Sequence, residues 1–299
     1  MNHLQLPVVV TPSRVENGSS CHRKHFLSDV LSKQLYSSPS LEFGSLAHAG
    51  VGAFWLGKSW RPVVEDEWKK RFELTSVSQE SVSLPMANAM MEYYEANAQL
   101  AGPFQDAADD WKLVDVEQRF EMPLGNDRIS FQMDRIAYSK KMNWLVIGDL
   151  KTAGRLDKRW EKQWELSLQM KLYRLGLQTV FDHDGPLDVF IEGLHKHVPS
   201  KIQYYACPNW SDKQLGEAAF MASQIAAKDR ELIGQSQKTD GSFDLALAEE
   251  LGVRYTTVNY GNCQSYGIEC PFHRICTADV DERVGILRGE FTEKTEEDY

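Results

Sequence analysis

Asp149 and Lys151 stand two residues apart near the end of an apolar run, Trp144-Leu-Val-Ile-Gly-Asp-Leu-Lys151-Thr152. A run this apolar reads as a strand buried on both faces. Residues two apart on a strand point to the same side, so one face carries a carboxylate and an ammonium together. The preceding segment, Phe131-Gln-Met-Asp134-Arg-Ile-Ala-Tyr138, offers a second carboxylate. If the turn between the two segments centres on Lys141 and Met142, opposed residues have numbers adding to about 283, as those of Asp134 and Asp149 do. Two facing carboxylates repel unless a cation lies between them, and Mg²⁺ or Mn²⁺ suits oxygen donors of this kind. A neighbouring lysine can orient or deprotonate a water and stabilise charge building on a phosphate. The plain alternative is an Asp–Lys ion pair at a strand end.

Three strands must hold these groups. Trp111 to Met122 alternates through Leu113, Val114, Val116 and Phe120; Arg128 to Tyr138 follows the turn at Leu124 to Asp127; Trp144 to Lys151 completes a meander. Upstream, Thr11-Pro12-Ser13-Arg14 reads as a helix start, and a helix is expected from about Cys21 to Gln34 on an apolar face of Leu27, Val30 and Leu31. Ser37 to Ser40 reads as a loop. Further helices are expected over Gly44 to Leu56, around Glu65 to Arg71, and over Ala87 to Gln99, the last ended by Gly102-Pro103. Residues 1–10 show no partner pattern. Downstream, Trp160 to Phe181 reads as one long amphipathic helix with a stripe of Trp164, Leu168, Leu172 and Leu175. Strands follow at Leu187 to Leu194 and Lys201 to Ala206, then a helix at Ser211 to Leu232, a polar linker at 233–245, a segment with three cysteines, and a charged tail from Glu290 to Tyr299 that is expected to fray. This order predicts a mixed α/β fold with a central sheet covered by helices on both faces.

The chain has 299 residues, with 33 Lys plus Arg against 43 Asp plus Glu, giving a net charge of −10. That balance argues against a protein that coats nucleic acid, but it leaves room for a local basic groove. No run has the length and apolarity of a membrane helix. The amino-terminal segment has no basic region before its short apolar run, so a cytoplasmic location is expected. Five cysteines in such a chain point to metal binding or free thiols rather than a disulfide framework. There is no phosphate loop, no Gly-x-Ser-x-Gly elbow and no His-Glu-x-x-His zinc motif.

Taken together, these residues resemble the PD-(D/E)XK nuclease superfamily, specifically its RecB-like and Cas4-like exonuclease branch. The acidic motif would be Asp134, and the D-x-K motif Asp149-Leu150-Lys151 followed by Thr152. The branch adds a Gly-x-x-x-His segment on an early helix, here Gly44-Ser-Leu-Ala-His48, and a Gln-x-x-x-Tyr motif on the helix after the D-x-K strand, here Gln169-Met-Lys-Leu-Tyr173. Residues four apart share a helix face, which fits the last motif. The resemblance implies a restriction-endonuclease-like core with a mixed sheet flanked by helices. It implies one nuclease domain over 1–299, comprising a helical part at 11–110, the core at 111–232 and a Cys-rich segment at 255–280. It further implies a Mg²⁺- or Mn²⁺-dependent deoxyribonuclease. His48, Asp134, Asp149 and the Leu150 carbonyl would be ligands, with Lys151 at the attacking water and Gln169 and Tyr173 positioning water or DNA.

Some members of that branch hold a [4Fe–4S] cluster on one early and three late cysteines. The resemblance assigns that role to Cys21, Cys263, Cys270 and Cys276, although six residues between the last three's first pair depart from the usual Cys-x-x-Cys. A zinc site from Cys263, Cys270, His273 and Cys276 competes with it. Cys207 reads as structural. Lys140, Lys141, Arg155, Lys158, Arg159, Lys162, Lys171 and Arg174 are candidate phosphate contacts, or a solvated face. Trp160 and Trp164 read as core rather than base-stacking platforms, and His195 and His197 as a polar cluster at a strand end. The expected substrate is single-stranded DNA or duplex ends, with a helicase or recombination partner and no membrane. The alternative is a non-catalytic DNA- or protein-binding module on the same fold.

Overall fold

A computed structural model describes residues 7–34, 39–73, 82–98, 111–197, 199–238, 240, 242–256, 258–259, 261, 263 and 270–293. The chain divides into two compact units. One comprises residues 1–36, 121–130 and 216–299, and the other 37–120 and 131–215.

The strands are β1 (Val9–Val10), β2 (Lys33–Gln34), β3 (Trp111–Leu124), β4 (Asp127–Ser139), β5 (Trp144–Ala153), β6 (Leu187–His195), β7 (Ile202–Ala206) and β8 (Thr292–Glu293). Six of them form a sheet in the order β1-β4-β5-β6-β7, with β3 also paired to β4. The three-stranded meander is present. The β4–β5 ladder runs from Ser139↔Trp144 to Arg135↔Gly148, so the numbers in each pair add to 283, the expected register. β5 and β6 are parallel, from Leu145↔Leu187 to Ala153↔His195. A parallel neighbour requires a crossover, here supplied by helices α6 (Lys158–Lys162) and α7 (Leu168–Val180). The mixed sheet flanked by helices is the restriction-endonuclease-like α/β architecture that the motifs imply.

In the unit that carries the D-x-K strand, three helices precede the sheet: α3 (Pro39–Trp55), α4 (Trp60–Trp68) and α5 (Leu84–Asn97). Phe43, Leu46, Val64, Trp68, Met90 and Met91 of these helices share a buried cluster with Leu150 of β5 and Leu194 of β6. Gly50 permits the packing of α3, since a Cβ there would lie 2.8 Å from Val64. The other unit contains α1 (Pro12–Ser20), α2 (His22–His25), most of α8 (Asp212–Ser236), α9 (Leu245–Tyr255), α10 (His273–Thr277) and α11 (Val280–Glu290). Its core joins Phe26, Leu27, Leu232, Leu251, Ile275 and Leu287. Within it, Asp127 accepts from Val8 N at 3.1 Å and from Arg230 Nε at 3.0 Å, which fixes the start of β4 beside β1.

Several boundaries differ from the sequence reading. Residues 1–10 do find a partner: Val9 and Val10 pair in parallel with Arg128 and Ile129. The first helix begins at Pro12, where the Thr11 side chain caps Arg14 N, breaks at Cys21, and turns π-helical over Phe26–Val30 before β2. Pro39 and Ser40 belong to α3 rather than to a loop. The expected helix over Trp160 to Phe181 is two helices, because Ser167 caps a new one by accepting from Met170 N at 3.4 Å. Trp164 therefore lies outside α7, whose buried residues are Met170, Leu172, Tyr173, Arg174, Gly176 and Leu177. The stretch 233–245 is shorter as a linker than expected: α8 continues to Ser236, a bridge joins Gln237 to Phe243, and α9 begins at Leu245. The ends expected at Gln99 and Gly102-Pro103, and the tail beyond Glu293, lie outside the described residues. Among the described residues no helix is long and apolar enough to cross a membrane.

Candidate active site

Asp149 and Lys151 are together as their spacing requires, with Lys151 Nζ 2.7 Å from Asp149 Oδ2. Asp149 is only 1% exposed. The strand that carries it is apolar on either side, so its carboxylate sits in a site of low polarisability. Burial pushes its pKa up to about 6; the Asp134 charge adds to the rise, and the Lys151 ammonium opposes it.

Asp134 lies one residue beyond the last β4–β5 ladder pair. Its side chain takes over where the ladder stops, accepting from Leu150 N at 2.6 Å. The Leu150 side chain is buried in the helix-facing cluster, so this residue serves the site through its backbone. His48 reaches Asp134 from α3, with Nδ1 3.3 Å from Oδ1. Gly44, one turn earlier, lets α3 come close to β5: a Cβ there would lie 3.2 Å from Thr152 Oγ1. Burial disfavours the His48 imidazolium, but Asp134 and Glu117 outweigh it and raise the pKa to about 10. Burial likewise opposes ionisation of Asp134, yet His48, Lys151 and the Leu150 N–H hold its carboxyl below the usual range. His48 and Lys151 thus lie as cations against the acidic pair.

The third donor was not among the residues singled out from the sequence. Glu117 Oε1 lies 3.8 Å from His48 Nδ1, and donor atoms of His48, Glu117 and Asp134 all fall within 4.8 Å of one another. Glu117 has φ +55°, rare for a residue with a Cβ and characteristic of a bulge that re-aims a side chain. Gln132 Nε2 holds it, donating to Oε2 at 2.9 Å. One imidazole nitrogen and carboxylate oxygens are a donor chemistry that suits Mg²⁺ or Mn²⁺.

Gln169 and Tyr173 share one face of α7, with Gln169 Nε2 donating to Tyr173 Oη at 3.1 Å. Tyr173 Oη donates in turn to the Gln132 carbonyl at 3.0 Å, two residues before Asp134. Gly176 permits this contact of helix and strand, because a Cβ there would lie 2.8 Å from the Phe131 ring. Burial, then the charges of Asp149 and Asp134, raise the Tyr173 pKa well above its ordinary value, so the hydroxyl remains a neutral donor.

The remaining candidates separate. Lys140, Lys141, Arg155, Lys158, Arg159 and Lys162 are exposed, and Lys171 is half-buried. Arg174 is buried with Nη1 3.7 Å from Asp188, which makes it a packing residue rather than a phosphate contact. Trp160 is buried, stacked edge-on with Trp164 and filling the space left by Gly193. His195 Nε2 faces the Gly154 carbonyl at 3.0 Å and Nδ1 faces the His197 carbonyl, a polar cluster at the strand end. Cys207 is buried, and burial raises its thiol pKa. In the other unit, Cys21, Cys263, Cys270 and Cys276 come within electrostatic reach of one another: burial raises the Cys276 thiol, Arg23 opposes the rise, and the other three thiols add to it. Cys263 O accepts from Cys270 N at 2.8 Å, and His273 N donates to Cys270 O. Residues 264–269 of this segment lie outside the described residues.

The PD-(D/E)XK nuclease superfamily profile matches residues 9–277, which takes in His48, Asp134, Asp149, Lys151, Gln169 and Tyr173. The chain belongs to the PD-(D/E)XK nuclease superfamily. No curated protein matches it. Among solved structures, one from Eubacterium rectale named a "putative exonuclease" superimposes with a TM-score of 0.50 at 15% identity, covering 75% of this chain and 81% of that one. SSO0001 superimposes with a TM-score of 0.34 at 13% identity, covering 76% and 79%. At these identities the first likeness speaks to the fold alone. For this superfamily member, the D-x-K motif therefore coincides with the buried acidic pair and its lysine.

Proposed function

We propose that the chain is a divalent-metal-dependent deoxyribonuclease of the RecB-like and Cas4-like branch, acting as an exonuclease on single-stranded DNA or duplex ends. The observation that carries this reading is the 2.7 Å pair of Lys151 and buried Asp149 beside the His48, Glu117 and Asp134 donor group. Asp134, Asp149 and His48 would hold Mg²⁺ or Mn²⁺, with Glu117 as an added donor and the Leu150 carbonyl as a further one. When bound, the ion supplies polarisation of the scissile phosphate and stabilisation of the leaving 3′ oxygen. Lys151 Nζ orients the attacking water and donates to the phosphate oxygen on which charge grows. The water oxygen bonds to phosphorus as the P–O3′ bond breaks, and the departing oxygen takes up a proton. Gln169 and Tyr173, rigidly joined to β4, position water or the DNA backbone. The exposed cations from Arg155 to Lys162 offer phosphate contacts. A helicase or recombination complex is the kind of partner this reading anticipates.

We assign a [4Fe–4S] cluster to Cys21, Cys263, Cys270 and Cys276. The early Cys21 shares the electrostatic environment of the three late thiols, which favours a four-thiolate site over zinc held by the late segment with His273. Iron, acid-labile sulfide and zinc analysis of anaerobically purified protein decides between them.

The test of the nuclease is digestion of end-labelled single- and double-stranded linear DNA with Mg²⁺, Mn²⁺ or EDTA. Wild type should release label only with metal, and Lys151→Ala should not. Intact DNA in every lane, from protein of verified metal content, would shift the reading to a binding module.

A further inference from the structure

The sheet beside the acidic pair carries a buried ion pair that the reaction does not consume. Arg135, 3% exposed, forms an ion pair through Nη2 with Glu192, which is fully buried. Tyr94 of α5 completes the arrangement. Its hydroxyl donates to Glu192 Oε2 at 3.0 Å and accepts from Arg135 Nη1 at 2.9 Å and from Trp55 Nε1 at 2.7 Å. One donor and two acceptor positions of the hydroxyl are thus used. Tyr204 of β7 donates to Glu192 Oε1 at 2.6 Å, and the Arg135 guanidinium lies 4.8 Å from the centre of the Trp55 ring.

The placement of this network decides its meaning. Arg135 follows Asp134, and its ladder partner Gly148 precedes Asp149. This is the last paired row before the two strands part at the carboxylates. Gly148 leaves room for the guanidinium, since a Cβ would lie 3.0 Å from Arg135 Nη2. Glu192 stands opposite Leu150, the residue between Asp149 and Lys151. Trp55 is on α3, seven residues from His48 and hence about two helical turns along one side. The network therefore ties α3, which presents His48, to β4, which presents Asp134, and reaches across Gly148 of β5 to Glu192 of β6, so that the strand presenting Asp149 is held between its two tied neighbours. A buried ion pair is a weak source of stability, because desolvation offsets its attraction. It is, however, a strict geometric restraint, since breaking either partner leaves an uncompensated charge.

We infer that Arg135, Glu192 and Tyr94 are positioning residues that set the separation of the Asp134 and Asp149 carboxylates and the approach of His48, and so determine divalent-metal affinity. This rests on the metal-dependent nuclease reading given above. The test is calorimetric titration of Mn²⁺ into wild type, Glu192→Gln and Tyr94→Phe, with circular dichroism to verify folding and kcat and KM for DNA measured at two Mn²⁺ concentrations. Glu192→Gln should weaken Mn²⁺ binding about 10- to 100-fold, the effect of removing outer support from a metal site. Tyr94→Phe should weaken it about 3- to 10-fold, the value of one hydrogen bond. In both, added Mn²⁺ should recover kcat while KM for DNA stays unchanged. If Glu192→Gln does not fold, Tyr94→Phe alone decides. Folded variants with wild-type Mn²⁺ affinity would overturn the inference. A wild type that neither binds Mn²⁺ nor cleaves DNA would instead overturn the nuclease reading.

Discussion

Asp134 Oδ2 accepts the Leu150 backbone N–H at 2.6 Å, so one carboxylate both closes the end of a β-ladder and faces the donor group. The two duties can be separated. Asp134→Asn keeps an acceptor for Leu150 N but gives up the charge. We expect it to retain stability within about 1 kcal/mol and to lose cleavage. Asp134→Ala also strands the Leu150 amide and should cost a further 1–3 kcal/mol or so. Urea unfolding read beside DNA digestion checks both. Equal stability of the two variants would show that the Leu150 bond is dispensable.

Lys151 Nζ lies within ion-pair distance of the buried Asp149 carboxylate, 2.7 Å from Oδ2. Its replacement by Met leaves the buried carboxylate closer to protonation, because burial already favours the neutral form. Cleavage at neutral pH should fall about 10²- to 10⁴-fold, the usual scale for a positioned proton-transfer or charge-stabilising group. Single-turnover rates at saturating Mn²⁺ measure it. A loss below 10-fold would remove Lys151 from the mechanism.

Gly176 lets α7 lie against β4, and an added methyl would meet the Phe131 ring at 2.8 Å. Gly176→Ala should therefore push Tyr173 from Gln132 and destabilise by about 1–3 kcal/mol. Tyr173→Phe removes only the hydrogen bond and should cost about 1 kcal/mol. Chemical denaturation of both variants, with activity in parallel, separates packing from the hydroxyl's part in cleavage.

His25 supplies the pH dependence of the other unit. It is buried, with Nε2 2.9 Å from Asp229 and Nδ1 3.1 Å from Asp29. Burial opposes its charge, but the two carboxylates win and raise its pKa from 6.5 to about 9. A raised folded-state value means stability that is complete below pH 6.5 and is lost as pH rises through about 9. The contribution is on the order of 3 kcal/mol. The urea midpoint should fall across that window in the wild type and remain flatter in His25→Gln. A wild-type midpoint independent of pH from 6.5 to 9 would refute the assignment.

The acidic pair, its lysine and the strand register were legible because each depends on local spacing. Asp149 and Lys151 share a face by the two-residue period of a strand, and a short turn fixed which residues oppose them. His48, Gln169 and Tyr173 needed the resemblance, since no local rule tells a helix histidine at a site from one in a core. Glu117 stayed hidden because its role depends on a left-handed residue inside a strand, a conformation that the even spacing of Val114, Val116 and Phe120 does not reveal. The Arg135–Glu192–Tyr94 network was equally opaque: its members lie on three elements, and only tertiary packing brings them together. The break before α7 followed from Ser167, a capping residue that the apolar pattern ran through without interruption.

The distribution of the donors along the chain also governs when the site can exist. His48 comes from a helix formed early in the sequence, Glu117 and Asp134 from the first two strands of the meander, and Asp149 from a strand whose parallel neighbour begins at Leu187. The meander brings Glu117, Asp134 and Asp149 together from consecutive strands, whereas His48 comes from far along the chain. A ribosome-bound chain that has not yet added β6 lacks the flank that completes the central strand, and loop closure over such distances is slow compared with helix formation. A complete site therefore requires the chain through β6: fragments ending before the crossover carry Asp134, Asp149 and Lys151 but lack both Gln169 and Tyr173 of α7 and the strand that flanks β5.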